Sequence, residues 1–86
     1  MKQYTIKETR YGLRGYREHV YTGTLAELID KFSYTLLKGH SWEHERGNKK
    51  INMQPKTVRS LVMNLNKAEN NAAANGYSST SYELVM

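Results

Sequence analysis

A group of four cations surrounds the predicted start of a helix near Pro55. Lys56 and Arg59 fall in or next to its first turn, and Lys49 and Lys50 precede it. A helix N-terminus has free N–H donors and a partial positive charge, so cations are unfavourable there and anions are favourable. Donors, dipole and cations together are typical of a phosphate site. The alternative is a set of solvated side chains whose repulsion is screened by salt.

Asparagine, a poor helix former, is frequent in the same predicted helix. A polar stripe with the spacing i, i+4, i+7 and i+11 consists of Ser60, Asn64, Lys67 and Asn71. A carboxamide can donate and accept at once, as it does when it reads the edge of an adenine. We therefore predict that Asn64 or Asn71 reads a base. The alternative is an ordinary solvated helix face.

Aromatic residues accompany the basic segment. Trp42 lies within it, and Tyr77 follows the predicted helix. Aromatic side chains interleaved with basic ones suit a ligand that has phosphates and a stackable base. We therefore predict that Trp42 or Tyr77 stacks on that base. The strand tyrosines are instead expected to fill a half-buried sheet; they are Tyr4, Tyr16 and Tyr82.

The stretch from His40 to His44 matches H-x-x-E-H, the signature of inverted zincins. Two histidines four residues apart chelate zinc on a continuous helix, and glycines at 39 and 47 interrupt one here. Glu69 is the only acid of the second predicted helix that could add a third ligand. The chain also has no cysteine, no Gly-x-Ser-x-Gly and no phosphate-binding loop. We predict no metal, no cofactor and no catalysis.

The elements that would position these residues begin with a β-hairpin. Two strands rich in Tyr, Thr and Val are predicted at residues 3–10 and 16–22, joined by a turn with a glycine at each end. A first helix opens at Thr24, which forms a capping box with Glu27 and precedes an apolar stripe. Gly39 is the predicted end of this helix.

The second helix and a third strand complete the predicted fold. The helix runs from Pro55 to the stop signal Asn75-Gly76, and the strand covers residues 77–85. This helix carries a second apolar stripe, made of Val58, Leu61, Val62, Leu65, Ala68 and Ala72. The order β-β-α-α-β predicts an α+β fold, in which two helices cover a three-stranded antiparallel sheet. Residues 1–86 are expected to form a single domain.

Composition indicates the charge of the partner. The 86 residues carry a formal charge of +5, and residues 38–59 hold six bases and two acids, which is +4 of that total. A localised excess favours an anionic partner, although charge also keeps small proteins soluble. The absence of cysteine, of a signal peptide and of an apolar span predicts a cytoplasmic protein without a membrane partner.

Five stretches between residues 21 and 85 are similar to a known family. They are Thr22-Gly23-Thr24-Leu25-Ala26-Glu27-Leu28-Ile29, Phe32-Ser33-Tyr34-Thr35-Leu36, Lys49-Lys50-Ile51-Asn52, Pro55-Lys56-Thr57 and Tyr82-Glu83-Leu84-Val85. They resemble a family of small proteins from tailed bacteriophages and prophages. The resemblance omits the first hairpin and lends no activity and no site residues. It implies a setting, in which such proteins take over a host process or disarm an immune system by binding.

These observations lead to one leading hypothesis and two alternatives. The leading hypothesis is an anti-defence protein that sequesters a phosphorylated nucleotide signal, of the cyclic nucleotide or cyclic ADP-ribose type. The phosphate would be held by Lys49, Lys50, Lys56 and Arg59. A homo-oligomer is expected, because 86 residues can hardly enclose a ligand. The alternatives are a nucleic-acid-binding protein and an anti-CRISPR-like inhibitor that occludes the surface of a host defence complex.

Overall fold

The computed structural model describes residues 1–73 and 79–85. Three strands form an antiparallel sheet in the order β2-β1-β3. They are β1 (Tyr4–Gly12), β2 (Gly15–Gly23) and β3 (Ser79–Val85). The central strand is therefore β1, flanked by its hairpin partner β2 and by the third strand β3.

Helices α1 (Leu25–Lys31), α2 (Ser33–Ser41) and α3 (Val58–Ala72) complete the described chain. The predicted α+β class and the small antiparallel sheet are confirmed, in the order β-β-α-α-α-β. The first predicted helix is divided at Phe32, whose side chain packs edge-on against the rings of Tyr21 and Tyr82. This kink lets α1 contact β2 while α2 packs along α3.

Gly39 does not end a helix, because α2 continues to Ser41. The glycine is buried, and a Cβ added to it would overlap the Cα and Cβ of Ala68. The missing side chain thus lets α2 and α3 approach closely. The predicted helix end is corrected to a helix contact.

The start of α3 is also corrected. The helix begins at Val58 and not near Pro55. Thr57 caps it with an extended backbone, and its side chain accepts the N–H of Ser60 at 3.0 Å. A capping hydroxyl therefore replaces proline as the start signal. At the other end, α3 ends at Ala72, and the predicted stop at Asn75-Gly76 lies outside the described residues.

The core lies between the helices and one face of the sheet. The largest of its fully buried side chains are Ile6, Leu28, Leu36, Leu61 and Leu65. Four of these five belong to the predicted apolar stripes of the helices. Burial of each such side chain contributes roughly 1.5–3 kcal/mol, so the stripes hold the helices on the sheet.

The β1–β2 hairpin extends past this core. Every residue from 10 to 20 is exposed, including Tyr16, so the expectation that Tyr16 fills a half-buried sheet is wrong. Gly12 pairs with Gly15, which leaves a two-residue turn. Gly15 has φ +114°, a conformation that favours glycine. We call residues 10–17 the hairpin tip.

Candidate functional site

The segment from residue 42 to residue 57, which we call the strap, joins α2 to α3 and is held by asparagines of α3. Asn71 accepts the N–H of Lys49 at 3.0 Å and donates to the carbonyl oxygen of Lys49 at 2.6 Å. About two helical turns earlier, Asn64 accepts the N–H of Asn52 at 2.8 Å. The strap therefore runs antiparallel to α3, from its C-terminal end to its start.

These contacts correct the predicted roles of Asn64 and Asn71. Both are buried, at 5% and 7% exposure, so they do not form an exposed polar stripe. Asn64 also donates to the carbonyl oxygen of Ser60 at 2.8 Å. Each carboxamide donates and accepts at once, but its partners are main-chain groups and not the edge of a base. Neither carboxamide is therefore proposed to contact a ligand.

Asn66 holds β3 against the other flank of α3, again through a pair of hydrogen bonds to main chain. It accepts the N–H of Tyr82 at 2.8 Å and donates to the carbonyl oxygen of Tyr82 at 3.0 Å. One helix thus clamps the strap on one flank and β3 on the other. This use accounts for helix-disfavouring residues in the interior of α3.

The strap divides the four cations that the sequence places together. Lys49 lies beside Asn71, near the C-terminal end of α3, and Lys50 follows it. Lys56 and Arg59 lie at the start of α3. Since Arg59 and Asn71 are 12 residues apart in one helix, about 18 Å of helix axis separates the two pairs. A single pocket formed by all four is therefore corrected to two separate sites.

Arg59 lines a cleft of about 380 Å³ with Lys2 and Tyr4. Among residues 1–73 and 79–85, the lining contains two cations, an aromatic ring and no acidic side chain, and Lys2 Nζ lies 5.6 Å from the centre of the Tyr4 ring. We call this the Arg59 cleft. It combines positive charge with an aromatic side chain, although Lys56 is not part of its lining.

The two predicted stacking residues have different outcomes. Trp42 follows α2 directly and is 44% exposed, and its carbonyl oxygen accepts from the side chain of Asn48. Its ring is thus available beside the first residues of the strap. Tyr77 lies outside the described residues.

The H-x-x-E-H stretch anchors the strap. Glu43 Oε2 lies 2.9 Å from His40 Nδ1 and accepts the N–H of Ile51 at 3.1 Å. The hydrogen bond from Ile51, with a smaller contribution from His40, holds the pKa of Glu43 below its usual range. His44 lies beyond the end of α2, so the two histidines do not share a helix face. Within residues 1–73 and 79–85, no group of three or more acids and histidines could hold a metal.

Sequence reasoning missed the hairpin tip as a site. A groove of about 530 Å³ there is lined by Arg10, Arg14 and Arg17, together with Tyr11 and Leu13, and no acidic residue of the described chain is part of this lining. The available indication was composition, because residues 10–17 include three arginines and no acid. In sequence, this charge was less conspicuous than the larger excess of residues 38–59.

One arginine of this groove is positioned from inside the fold. Glu8 is buried and accepts from Arg10 Nε at 3.1 Å, which raises the pKa of Arg10. The Arg10 side chain is still 60% exposed, so its terminal amino groups remain accessible. Tyr82 lies opposite Glu8 in the sheet. Burial raises the pKa of Tyr82, with a further contribution from Glu69.

The hairpin tip and the beginning of the strap lie toward the same end of the molecule. Asn66 binds Tyr82, while Leu84 and Val85 line the Arg59 cleft, so β3 runs antiparallel to α3. Ser79, the first residue of β3, pairs with Tyr11 of the tip. The C-terminal end of α3 is thus the hairpin end, and the Arg59 cleft lies at the opposite end.

Comparison with known proteins yields no relative from which to infer a role. No family model matches the chain, and no curated protein or solved structure is significantly similar to it. None of the helices in the described ranges is long and apolar enough to cross a bilayer. Function therefore has to be inferred from the basic surfaces themselves.

Proposed function

We propose that this chain is a nucleic-acid-binding protein. The observation that carries the proposal is the distribution of its cations between two ends of a molecule whose longest dimension is 39 Å. The arginines of the hairpin tip, Lys49 and Lys50 lie toward one end, and Lys2, Lys56 and Arg59 lie toward the other.

A polymer of phosphates can contact both ends at once. Duplex DNA carries one negative charge for about every 1.7 Å of its axis, so it offers phosphates along the whole length of the protein. A single nucleotide carries its phosphates close together and would leave one end unmatched. The polymer also needs no enclosed pocket, so the proposal does not require the homo-oligomer expected for a nucleotide-binding protein.

The resemblance to small phage proteins supplies the setting for this proposal. In that setting, the chain would occlude a nucleic acid that a host process or a defence complex needs. The proposal requires binding alone and assigns no catalytic residue.

The salt dependence of binding tests the proposal. Fluorescence anisotropy with labelled DNA and RNA oligonucleotides, measured between 50 and 300 mM KCl, gives the slope of log affinity against log salt. We expect a steep slope, because each phosphate contact contributes about −0.7 on a single strand and about −0.9 on a duplex. Absence of binding to every oligonucleotide at 50 mM KCl would overturn the proposal.

A second candidate is the small phosphorylated nucleotide of the leading sequence hypothesis, bound in the Arg59 cleft. It is favoured by the two cations and the tyrosine that line this cleft. Calorimetric titration with cyclic dinucleotides and ADP-ribose tests it. Lys2→Gln with Arg59→Gln should weaken binding by about 1.5–3 kcal/mol for each charged hydrogen bond to phosphate that is removed. Loss of the Arg59 charge near the start of α3 should leave stability unchanged or slightly raised. Equal affinity in parent and variant would exclude the cleft as the site.

A further inference from the structure

The hairpin tip presents a pair of exposed aromatic rings. Tyr11 and Tyr16 are direct cross-strand partners, with ring centres 5.2 Å apart and planes tilted by 47°. Each is 52% exposed, and both lie on the sheet face that points away from the helices. Leu13, in the turn beside them, is 82% exposed. Such rings offer a stacking surface that the fold itself does not cover.

The arginines of the tip are unfavourably placed in the free protein. Arg10 lies directly opposite Arg17 in the register of the hairpin, and like charges in that position are destabilising. Arg14, in the turn, adds a third positive charge. In the described part of the chain, no carboxylate forms an ion pair with Arg14 or Arg17. A bound anion would relieve this repulsion.

Glu8 makes Arg10 suited to phosphate. Its buried carboxylate occupies Arg10 Nε, which fixes the guanidinium and leaves the two terminal amino groups for an outside partner. Those groups can bind two oxygens of one phosphate, and a guanidinium that is already positioned loses less freedom on binding. The tip is thus partly organised before any ligand arrives.

We propose that the hairpin tip is the contact surface for a single-stranded nucleic acid, an inference that rests on the proposed function. Side chains alternate across a strand, so the tyrosines lie on one face of the tip and Arg10 and Arg17 on the other. The two faces meet at the turn, where Arg14 lies. A single strand that passes around the tip places bases on the rings and phosphates at the arginines. A duplex stacks its bases on one another and offers no base face to a tyrosine.

The test compares oligonucleotides and matched variants by fluorescence anisotropy. The probes are labelled 12-nucleotide thymidine and uridine single strands and a 12-base-pair duplex at 50 mM KCl. Tyr11→Leu and Tyr16→Leu remove stacking, and Arg14→Gln with Arg17→Gln removes two charges while retaining the Glu8 contact. The controls are Tyr34→Leu, at an exposed tyrosine of α2, and Lys31→Gln with Lys67→Gln, at two helix cations that line neither the hairpin-tip groove nor the Arg59 cleft.

The parent protein should bind at least one single strand more tightly than the duplex. Each tyrosine variant should bind at least about fivefold more weakly, which corresponds to the lower limit for one stacked base. The double arginine variant should bind at least about tenfold more weakly and reduce the salt slope by about 1.4, for two phosphate contacts of about 0.7 each. Each control should be weakened less than its matched variant.

The outcomes separate this inference from the function on which it rests. Single-strand binding that survives the tyrosine and arginine changes overturns the hairpin tip as the contact surface and leaves nucleic-acid binding intact. Duplex binding as tight as single-strand binding overturns the preference for unpaired bases. Absence of all binding overturns both proposals. Thermal melts of each variant establish that a loss of affinity is not a loss of fold.

Discussion

The α3–strap region and the hairpin tip use polar residues in opposite ways. In the first, asparagines inside the fold direct their donors and acceptors at main chain, and Asn64 and Asn71 are almost wholly buried. In the second, arginines and tyrosines face solvent. Residues that violate helix propensity therefore have a structural use, whereas the tip residues, apart from the bond between Arg10 and Glu8 and the contact between the two tyrosine rings, face solvent. A residue of poor helix propensity inside a helix therefore indicates a required contact, and that contact can belong to the fold.

The largest expected effect tests the close packing of the α3–strap region. Gly39→Ala places a methyl group on the backbone of Ala68, so α2 and α3 must separate. We expect a loss of about 3 kcal/mol in the free energy of unfolding, at the upper end of the usual range for overpacking. Urea denaturation measures it. Ala68→Gly in the same chain should recover part of the loss, and no recovery would mean that the strain arises elsewhere.

The next effect tests the asparagine clamps. Asn71→Ala removes the hydrogen bonds of this side chain to the main chain of Lys49 and to the carbonyl oxygen of buried Gly39, and each lost hydrogen bond costs about 0.5–1.5 kcal/mol. Asn70→Ala, one residue earlier and exposed, is the matched control and should change the free energy of unfolding by less than about 0.5 kcal/mol. Equal effects of the two changes would show that the clamp contributes no stability.

A smaller effect concerns the stability of the protein at acidic pH. The pKa of Glu43 is lower in the folded protein than its usual value, because the ionised carboxylate accepts from Ile51 and contacts His40. Its contribution to stability is therefore present above pH of about 4.3 and is lost as pH falls through the lower folded pKa. Glu43→Gln should be less stable than the parent at pH 7, and the difference should shrink as pH falls through the lowered folded pKa.

Denaturation curves at several pH values measure this difference. Glu45→Gln, at an exposed neighbour, serves as the control and should show a smaller difference at pH 7. A difference in stability between the parent and Glu43→Gln that stays constant as the solution is acidified would contradict the assignment to ionised Glu43.

The smallest effect has the opposite sign and belongs to the hairpin tip. Arg14→Gln with Arg17→Gln removes charges that repel Arg10, so the free energy of unfolding should rise by about 0.2–0.5 kcal/mol at low salt. The gain should shrink as salt screens the repulsion. A loss of stability would mean that these arginines have structural partners, and the contrast between the two regions would disappear.

Much of the fold follows from local patterns in the sequence. The capping box of Thr24 with Glu27 forms as predicted, and the apolar stripes around Leu28 and Leu61 are buried. These features depend on neighbours within one or two turns of the same helix. The kink at Phe32 and the packing of Gly39 depend on residues distant in sequence, so local periodicity could not predict them.

The site was less predictable because sequence proximity is not spatial proximity. Lys49 and Lys56 are close along the chain, but the strap extends between them along α3 and places them toward opposite ends. Asn71 has the chemistry of a base-reading residue, and only the fold shows that main chain occupies it. The tip arginines were visible in sequence, but their register and the absence of helix cover were not.

The clamps of α3 also affect how freely this protein can change. Asn71 and Asn64 bind the main chain of Lys49 and Asn52, and every residue except proline offers the same N–H and carbonyl groups. Side chains at 49 and 50 can therefore be replaced without disturbing these bonds. A surface fixed through its backbone can acquire a new charge pattern one substitution at a time, while the fold beneath it stays the same.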